Sequence, residues 1–85
     1  SSSQTLITIG RAPGNNIILQ DHQVSRHHAK ISYNAQRFAI TDLASRNGTF
    51  VNGNQLTSDP HIIDIETDII VISNYTLRIH VVPNE

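Results

Sequence analysis

Ser45-Arg46-Asn47-Gly48-Thr49-Phe50-Val51-Asn52-Gly53 is the stretch that decides how this chain folds. Its two Asn-Gly pairs lie five residues apart and bracket the short apolar run Thr49-Phe50-Val51. Asn-Gly is the strongest short-range hairpin signal, because both residues tolerate the positive φ of a tight turn. The same texture extends in both directions. Tyr75, Leu77, Ile79 and Val81 alternate with Thr76, Arg78 and His80, the period of a half-buried strand. Phe38 and Ile40 alternate with Ala39 and Thr41, and Ala29 and Ile31 with Lys30 and Ser32. Shorter apolar runs cover residues 6–9, 17–19, 62–65 and 69–72. Turn chemistry separates them at Pro13-Gly14-Asn15-Asn16, Asn34-Ala35-Gln36, Asp59-Pro60 and Ser73-Asn74. No segment carries a helical period with a cap at each end. Eight or more short strands at this spacing predict an all-β sandwich or barrel, with any site built from loops at one end.

Size and composition narrow the reading further. Eighty-five residues make one domain, near the lower limit of what folds without staples. With no cysteine there is neither a disulfide nor a thiolate zinc site, which fits a reducing compartment and a cytoplasmic setting. No apolar run is long enough to span a bilayer and no signal-peptide pattern opens the chain, so no membrane partner is expected. Ser1-Ser2-Ser3 reads as a linker or tag remnant over residues 1–4, leaving residues 5–83 as a domain taken from a longer protein. The net charge of −1 excludes the broad basic face that duplex nucleic acid demands. The charge is unevenly spread. Residues 1–50 hold five Lys/Arg and two Asp/Glu (+3), whereas residues 51–85 hold one Arg and five Asp/Glu (−4). A small, localised positive site suits a single anion better than a polyanion.

Three polar segments end extended runs in the basic half: Gly10-Arg11, Ser25-Arg26-His27-His28-Ala29 and Ser45-Arg46-Asn47-Gly48-Thr49. Four of the six Lys/Arg residues lie in or beside them, namely Arg11, Arg26, Lys30 and Arg46. A guanidinium offers a planar donor fork that meets two phosphate oxygens at once. A serine hydroxyl adds a donor, and an asparagine amide pairs with both a peptide N–H and a C=O. Together these groups suit a phosphate with peptide backbone on either side. Arg37, beside a turn, reads as solvated. His22, His27 and His28 with Asp21 invite a metal, but adjacent histidines on a strand point to opposite faces, so no metal site is expected. Ser25, His28 and Asp42 make a triad on paper only, with neither a nucleophile elbow nor an oxyanion hole, so no catalytic residue is assigned. Gly10-Arg11-Ala12-Pro13-Gly14 fits no nucleotide-binding pattern, and no cofactor is expected.

These segments, with Ile9 before the first, Asp42-Leu43 between, and Phe50-Val51-Asn52-Gly53 after the last, resemble the forkhead-associated (FHA) domain in order and approximate spacing. The resemblance runs from Gly10 to about Leu56, with a looser tail of strands to Val82. It implies an FHA/SMAD-like sandwich of two mostly antiparallel sheets, with roughly ten or eleven short strands and binding loops at one apex. It implies phosphate contacts from Arg11, Ser25 and Arg26, and peptide-backbone contacts from Asn47 and Arg46. Gly10, His28 and Gly48 are expected to shape the loops. The partner implied is a phosphothreonine-containing protein downstream of a Ser/Thr protein kinase, bound by a non-enzymatic module. Family members choose peptides mainly by the residue three positions after the phosphothreonine, which here involves loops near Gln23, Arg46 and Ser73-Asn74. Many members carry a further strand upstream, paired with the C-terminal one; only nine residues precede Gly10, so residues 75–82 are expected to present an open edge. The alternative is a phospho-independent interaction or oligomerisation module that uses a sandwich face or that edge.

Overall fold

The computed structural model describes residues 5–82; the linker remnant assigned to residues 1–4 lies outside the described residues. Nine strands are present among them: β1 (Thr5–Gly10), β2 (Ile17–Ile18), β3 (Ala29–Asn34), β4 (Arg37–Asp42), β5 (Phe50–Val51), β6 (Asn54–Gln55), β7 (His61–Ile63), β8 (Ile70–Ile72) and β9 (Tyr75–Leu77). They form one sheet in the order β2-β1-β3-β4-β7 and a second in the order β6-β5-β8-β9. Every pairing is antiparallel except β1 with β2. The described residues contain no helix.

Alternation along the strands becomes a core through register. Ile7 pairs with Ile31, and Ile31 with Ile40, so one row of aliphatic side chains crosses β1, β3 and β4 toward the second sheet. That sheet answers with Val51, Ile70 and Ile72, while Leu19 and Val24 close the core from the loop after β2. Ile9, Ile40, Ile70 and Ile72 are fully buried. Each contributes about 1.5–3 kcal/mol by leaving water. They supply what a chain without tryptophan and with only two phenylalanines cannot take from aromatics.

Local expectation and fold part company in three places. The two Asn-Gly pairs do different work. Asn52 and Gly53, with φ of 53° and 83°, form the two-residue hairpin between β5 and β6. Asn47 and Gly48 instead sit in the connection between β4 and β5, which belong to different sheets, so no hairpin forms there. The alternation of residues 75–82 yields a strand only as far as Leu77, because the ladder with β8 ends at the Ile70–Leu77 pair. Ile79 still packs on the core, while Val81 is exposed. The strand count among the described residues is nine, where the resemblance implied ten or eleven, and residues 78–82 join no ladder. β9 is an edge strand of its sheet.

The strand directions sort the loops. β1 and β4 end, and β3, β5 and β9 begin, at one end of the sandwich, so residues 11–16, 19–28, 43–49 and 73–74 converge there. The turns at residues 35–36 and 52–53 and the loop 64–69 occupy the opposite end.

Candidate functional site

The first contact that shapes the convergent loops is made by backbone. A methyl on Gly10 would stand 2.1 Å from the Arg26 carbonyl oxygen, so only glycine lets the two chains approach this closely. The approach is locked on both sides. Arg11 N–H donates to the Ser25 carbonyl (3.0 Å) and Ala12 N–H to the Arg26 carbonyl (3.2 Å). The buried Asn15 amide then donates to both the Ala12 and Arg26 carbonyls, at 2.9 and 2.8 Å. Arg11 itself is exposed, and its Nε donates to the Val24 carbonyl at 3.1 Å, which fixes the base of the guanidinium and leaves its terminal nitrogens without a protein partner among the described residues.

His28 has no exposed surface and joins two loops. Its Nε2 lies 2.9 Å from the Gly48 carbonyl, and its Nδ1 accepts the Ser25 N–H at 3.0 Å. Because a carbonyl only accepts, the hydrogen of this neutral ring sits on Nε2. The Ser25 hydroxyl oxygen accepts the Arg46 N–H at 2.8 Å, so its own hydrogen remains to donate outward. This arrangement dissolves the paper triad: His28 engages the Ser25 backbone rather than its hydroxyl.

Asp42 organises the third loop. Its carboxylate accepts the Ser45 N–H (3.1 Å), the Ser45 hydroxyl (2.5 Å) and the hydroxyl of the fully buried Thr49 (2.7 Å). Ser45 Oγ in turn accepts the Gly48 N–H at 3.0 Å, closing the turn that gives Gly48 a φ of 91°. Partial burial pushes the Asp42 carboxyl up, but the hydrogen bonds from Ser45 and Thr49 outweigh it and hold it below the usual carboxylate range. The Asn47 amide nitrogen donates to the Gln23 carbonyl (2.7 Å) and Gln23 Oε1 (3.0 Å). Both of its donors therefore serve the neighbouring loop, and its oxygen is the group left for a ligand.

Between these loops lies a concavity of about 260 Å³, lined by Arg11, His22, Gln23, Val24, Ser25, Arg26 and Arg46. It holds three guanidiniums and no carboxylate. Asp21, on the adjacent turn, is engaged: one oxygen accepts the Gln23 N–H and the other the Ser73 hydroxyl. A larger concavity of about 390 Å³ lies along β6 and β7, but Asp59 and Asp68 line it with no Lys or Arg, so it suits no anion.

The FHA domain family model matches residues 7–73. The chain belongs to the FHA domain family. Its fold superposes on the structure of Mycobacterium tuberculosis EmbR in complex with a low-affinity phosphopeptide, with a TM-score of 0.80 at 33% identity, over 86% of this chain and 19% of that one. A domain solved in work on phosphothreonine-dependent FHA domain interactions matches with a TM-score of 0.80 at 28% identity, over 94% of this chain and 82% of that one. Among curated relatives, the glycogen accumulation regulator GarA of Mycobacterium tuberculosis is 41% identical over 49 residues, which is 58% of this chain and 30% of GarA. The chain matches at most 34% of the length of the first curated relatives.

Within this FHA domain, Arg11, Ser25, Arg26 and Arg46 line one concavity, and Asn47 stands beside it through Gln23. Gly10, His28 and Gly48 lie beneath, all three buried. Two further residues support the site in ways that the sequence did not assign to them. Asn15 sits in a run that reads only as turn chemistry, and Asp42 closes a strand; each works through partners that folding alone brings near.

Proposed function

We propose that this FHA domain binds phosphothreonine with its flanking peptide backbone, as a non-catalytic module of kinase signalling. The observation that carries the reading is the grouping of three guanidiniums and an outward-donating serine hydroxyl around one carboxylate-free concavity. A phosphothreonine brings about −1.5 to −2 charges and three acceptor oxygens. The Arg11 fork takes two of those oxygens, the Ser25 hydroxyl donates to one, and Arg26 adds a second cation. Asn47 Oδ1 accepts a ligand backbone N–H, so the peptide is held without regard to side chain. Burial of the threonine methyl adds about 0.8 kcal/mol over serine.

The partner is a protein phosphorylated by a Ser/Thr kinase, in the cytoplasm, where a chain without cysteine is at no disadvantage. Family membership supports this, as do the phosphopeptide bound by EmbR and the phosphothreonine dependence studied in the second structural relative. Calorimetric titration with a phosphothreonine peptide, its unphosphorylated form and its phosphoserine form tests the reading. Binding of the phosphothreonine form alone supports it. Equal binding of all three transfers the function to a phospho-independent interaction.

A further inference from the structure

The lateral edge of the five-stranded sheet carries a second arrangement, separate from the convergent loops. β7 pairs with β4 on one side only, and no backbone group of residues 61–63 is bonded outside that ladder among the described residues. An open edge offers its outward N–H and C=O groups to another chain. Ile62 stands on this edge with 55% of its surface exposed, while its neighbour Ile63 is buried, so Ile62 faces solvent. Two concavities meet at Ile62: the one of about 390 Å³ along β6 and β7, and another of about 370 Å³ that reaches Tyr33, Phe38 and Val81. Each contains a carboxylate with no duty in the fold. Asp59 in the first and Glu66 in the second make no side-chain hydrogen bond and no ion pair among the described residues, whereas Asp64 and Asp68 are both engaged. Arg37 and Asp64 also line the second concavity and offset each other in charge.

We infer that the β7 edge is a second docking surface, which takes an extended, unphosphorylated segment of a partner protein with an aliphatic or aromatic residue flanked on both sides by Lys or Arg. In strand addition, main-chain hydrogen bonds along the edge supply affinity, and pockets on either side of it supply specificity. Here the edge is open, an exposed isoleucine sits at its centre, and a free carboxylate lies in the concavity on each side. Asp59 precedes Ile62 by three residues and Glu66 follows it by four, so the basic residues are expected about three to four positions from the apolar one. Pro60 before β7 and the turn after Ile63 confine the open edge to three residues, which suits one short segment and not an unlimited sheet. The surface is independent of the phosphothreonine reading, and both partners can be held at once.

The test is selection from a displayed library of short unphosphorylated peptides, followed by calorimetry and amide NMR with the selected peptide. Enrichment of a central Ile, Leu, Val or Phe with Lys or Arg on both sides is expected, and the selected peptide should shift the amides of His61–Ile63. Asp59→Asn and Glu66→Gln should each weaken it about two- to fivefold, the range of an exposed ion pair, and Ile62→Thr about tenfold. All three positions are exposed, so the melting transition and the affinity for a phosphothreonine peptide should stay as in the parent. No enrichment, or enrichment without basic flanks, overturns the inference, as does a selected peptide that shifts the loops around Arg11 and Ser25 instead of β7. A dimer in sedimentation that Ile62→Thr dissolves would give the edge to a second copy of the chain and overturn the assigned partner. Failure of every phosphothreonine peptide to bind would overturn the phosphothreonine reading alone, since the β7 measurements do not use it.

Discussion

Both ends of the sandwich are rich in polar groups and differ in which of them are left unengaged. At the end away from the concavity, the charged side chains are themselves the glue. Asp68 accepts the Asp64 N–H at 2.9 Å and the Asn52 amide at 2.7 Å, Asp64 accepts the Glu66 N–H at 3.0 Å, and Asn52 Oδ1 accepts the Ile69 N–H at 3.0 Å. At the convergent end the buried Asn15 and His28 tie loop to loop, the Asp42 and Asp21 carboxylates hold turns together, and no arginine side chain takes part except through Arg11 Nε. Arg26 and Arg46 are left with no such duty, and Arg11 is tethered only at Nε. Local density of polar residues therefore does not mark a site. Several unengaged cations grouped around one carboxylate-free concavity do.

The comparison breaks first at Arg11. Arg11→Ala is expected to lower phosphothreonine-peptide affinity about a hundredfold or more, since two charge-assisted hydrogen bonds are lost. Its melting transition stays close to the parent, because only the bond to Val24 goes with the side chain. Full affinity in a folded Arg11→Ala variant, measured by calorimetry, would remove the distinction between the ends.

His28→Ala comes next and acts through stability. It empties a fully buried position and strands the Ser25 N–H and the Gly48 carbonyl, an expected loss of about 3 kcal/mol. Denaturant unfolding should register that loss, with affinity falling because the Ser25 and Gly48 loops come apart. A variant of unchanged stability that merely binds weakly would contradict this structural role for His28.

Asn52→Ala is the matching change at the far end. It removes the side-chain bonds to Asp68 and Ile69 and should cost about 1–2 kcal/mol in denaturant unfolding. Peptide affinity is expected to be unchanged within error. A parallel loss of affinity would mean that the two ends are coupled.

Acid separates the ends most gently. The Asp64 backbone N–H, then the Asn52 amide, hold the Asp68 carboxyl below the usual range, and Asp42 is lowered by Ser45 and Thr49. A lowered native value means that each carboxylate contributes stability above the ordinary carboxylate range and loses it as pH falls through that lowered value. The phosphate sheds its second charge near pH 6. Affinity should therefore weaken around pH 6, while circular dichroism stays native until the pH falls into the ordinary carboxylate range and below it. Loss of both in one transition would contradict the assignment.

Much of this was legible beforehand, for identifiable reasons. Alternation over residues 29–32 and 38–41 became the longer strands Ala29–Asn34 and Arg37–Asp42 because each is paired along its whole length. Residues 75–82 carry the same alternation but stop pairing at Leu77, since strand length depends on a partner that local sequence does not contain. The two Asn-Gly pairs are identical as dipeptides, and only the sheet assignment of their flanking strands separates a hairpin from a crossing loop. Arg11, Ser25, Arg26 and Arg46 were singled out by residue type, and the fold brings them to one concavity. Asn15 read only as turn chemistry and Asp42 only as part of the family pattern, since what they do is defined by carbonyls and hydroxyls brought to them by folding. Asn47 was expected to offer a ligand both donor and acceptor, yet Gln23 holds its donors.

The most direct test of the contrast is a two-dimensional amide NMR titration with a phosphothreonine peptide and its unphosphorylated twin. The predicted result is that only the phosphorylated peptide shifts resonances, in the loops around Arg11, Gln23–His28 and Ser45–Gly48, with Asn52–Gly53 and Asp64–Ile69 unmoved. Equal shifts from both peptides, or shifts centred on the far end, would contradict the account.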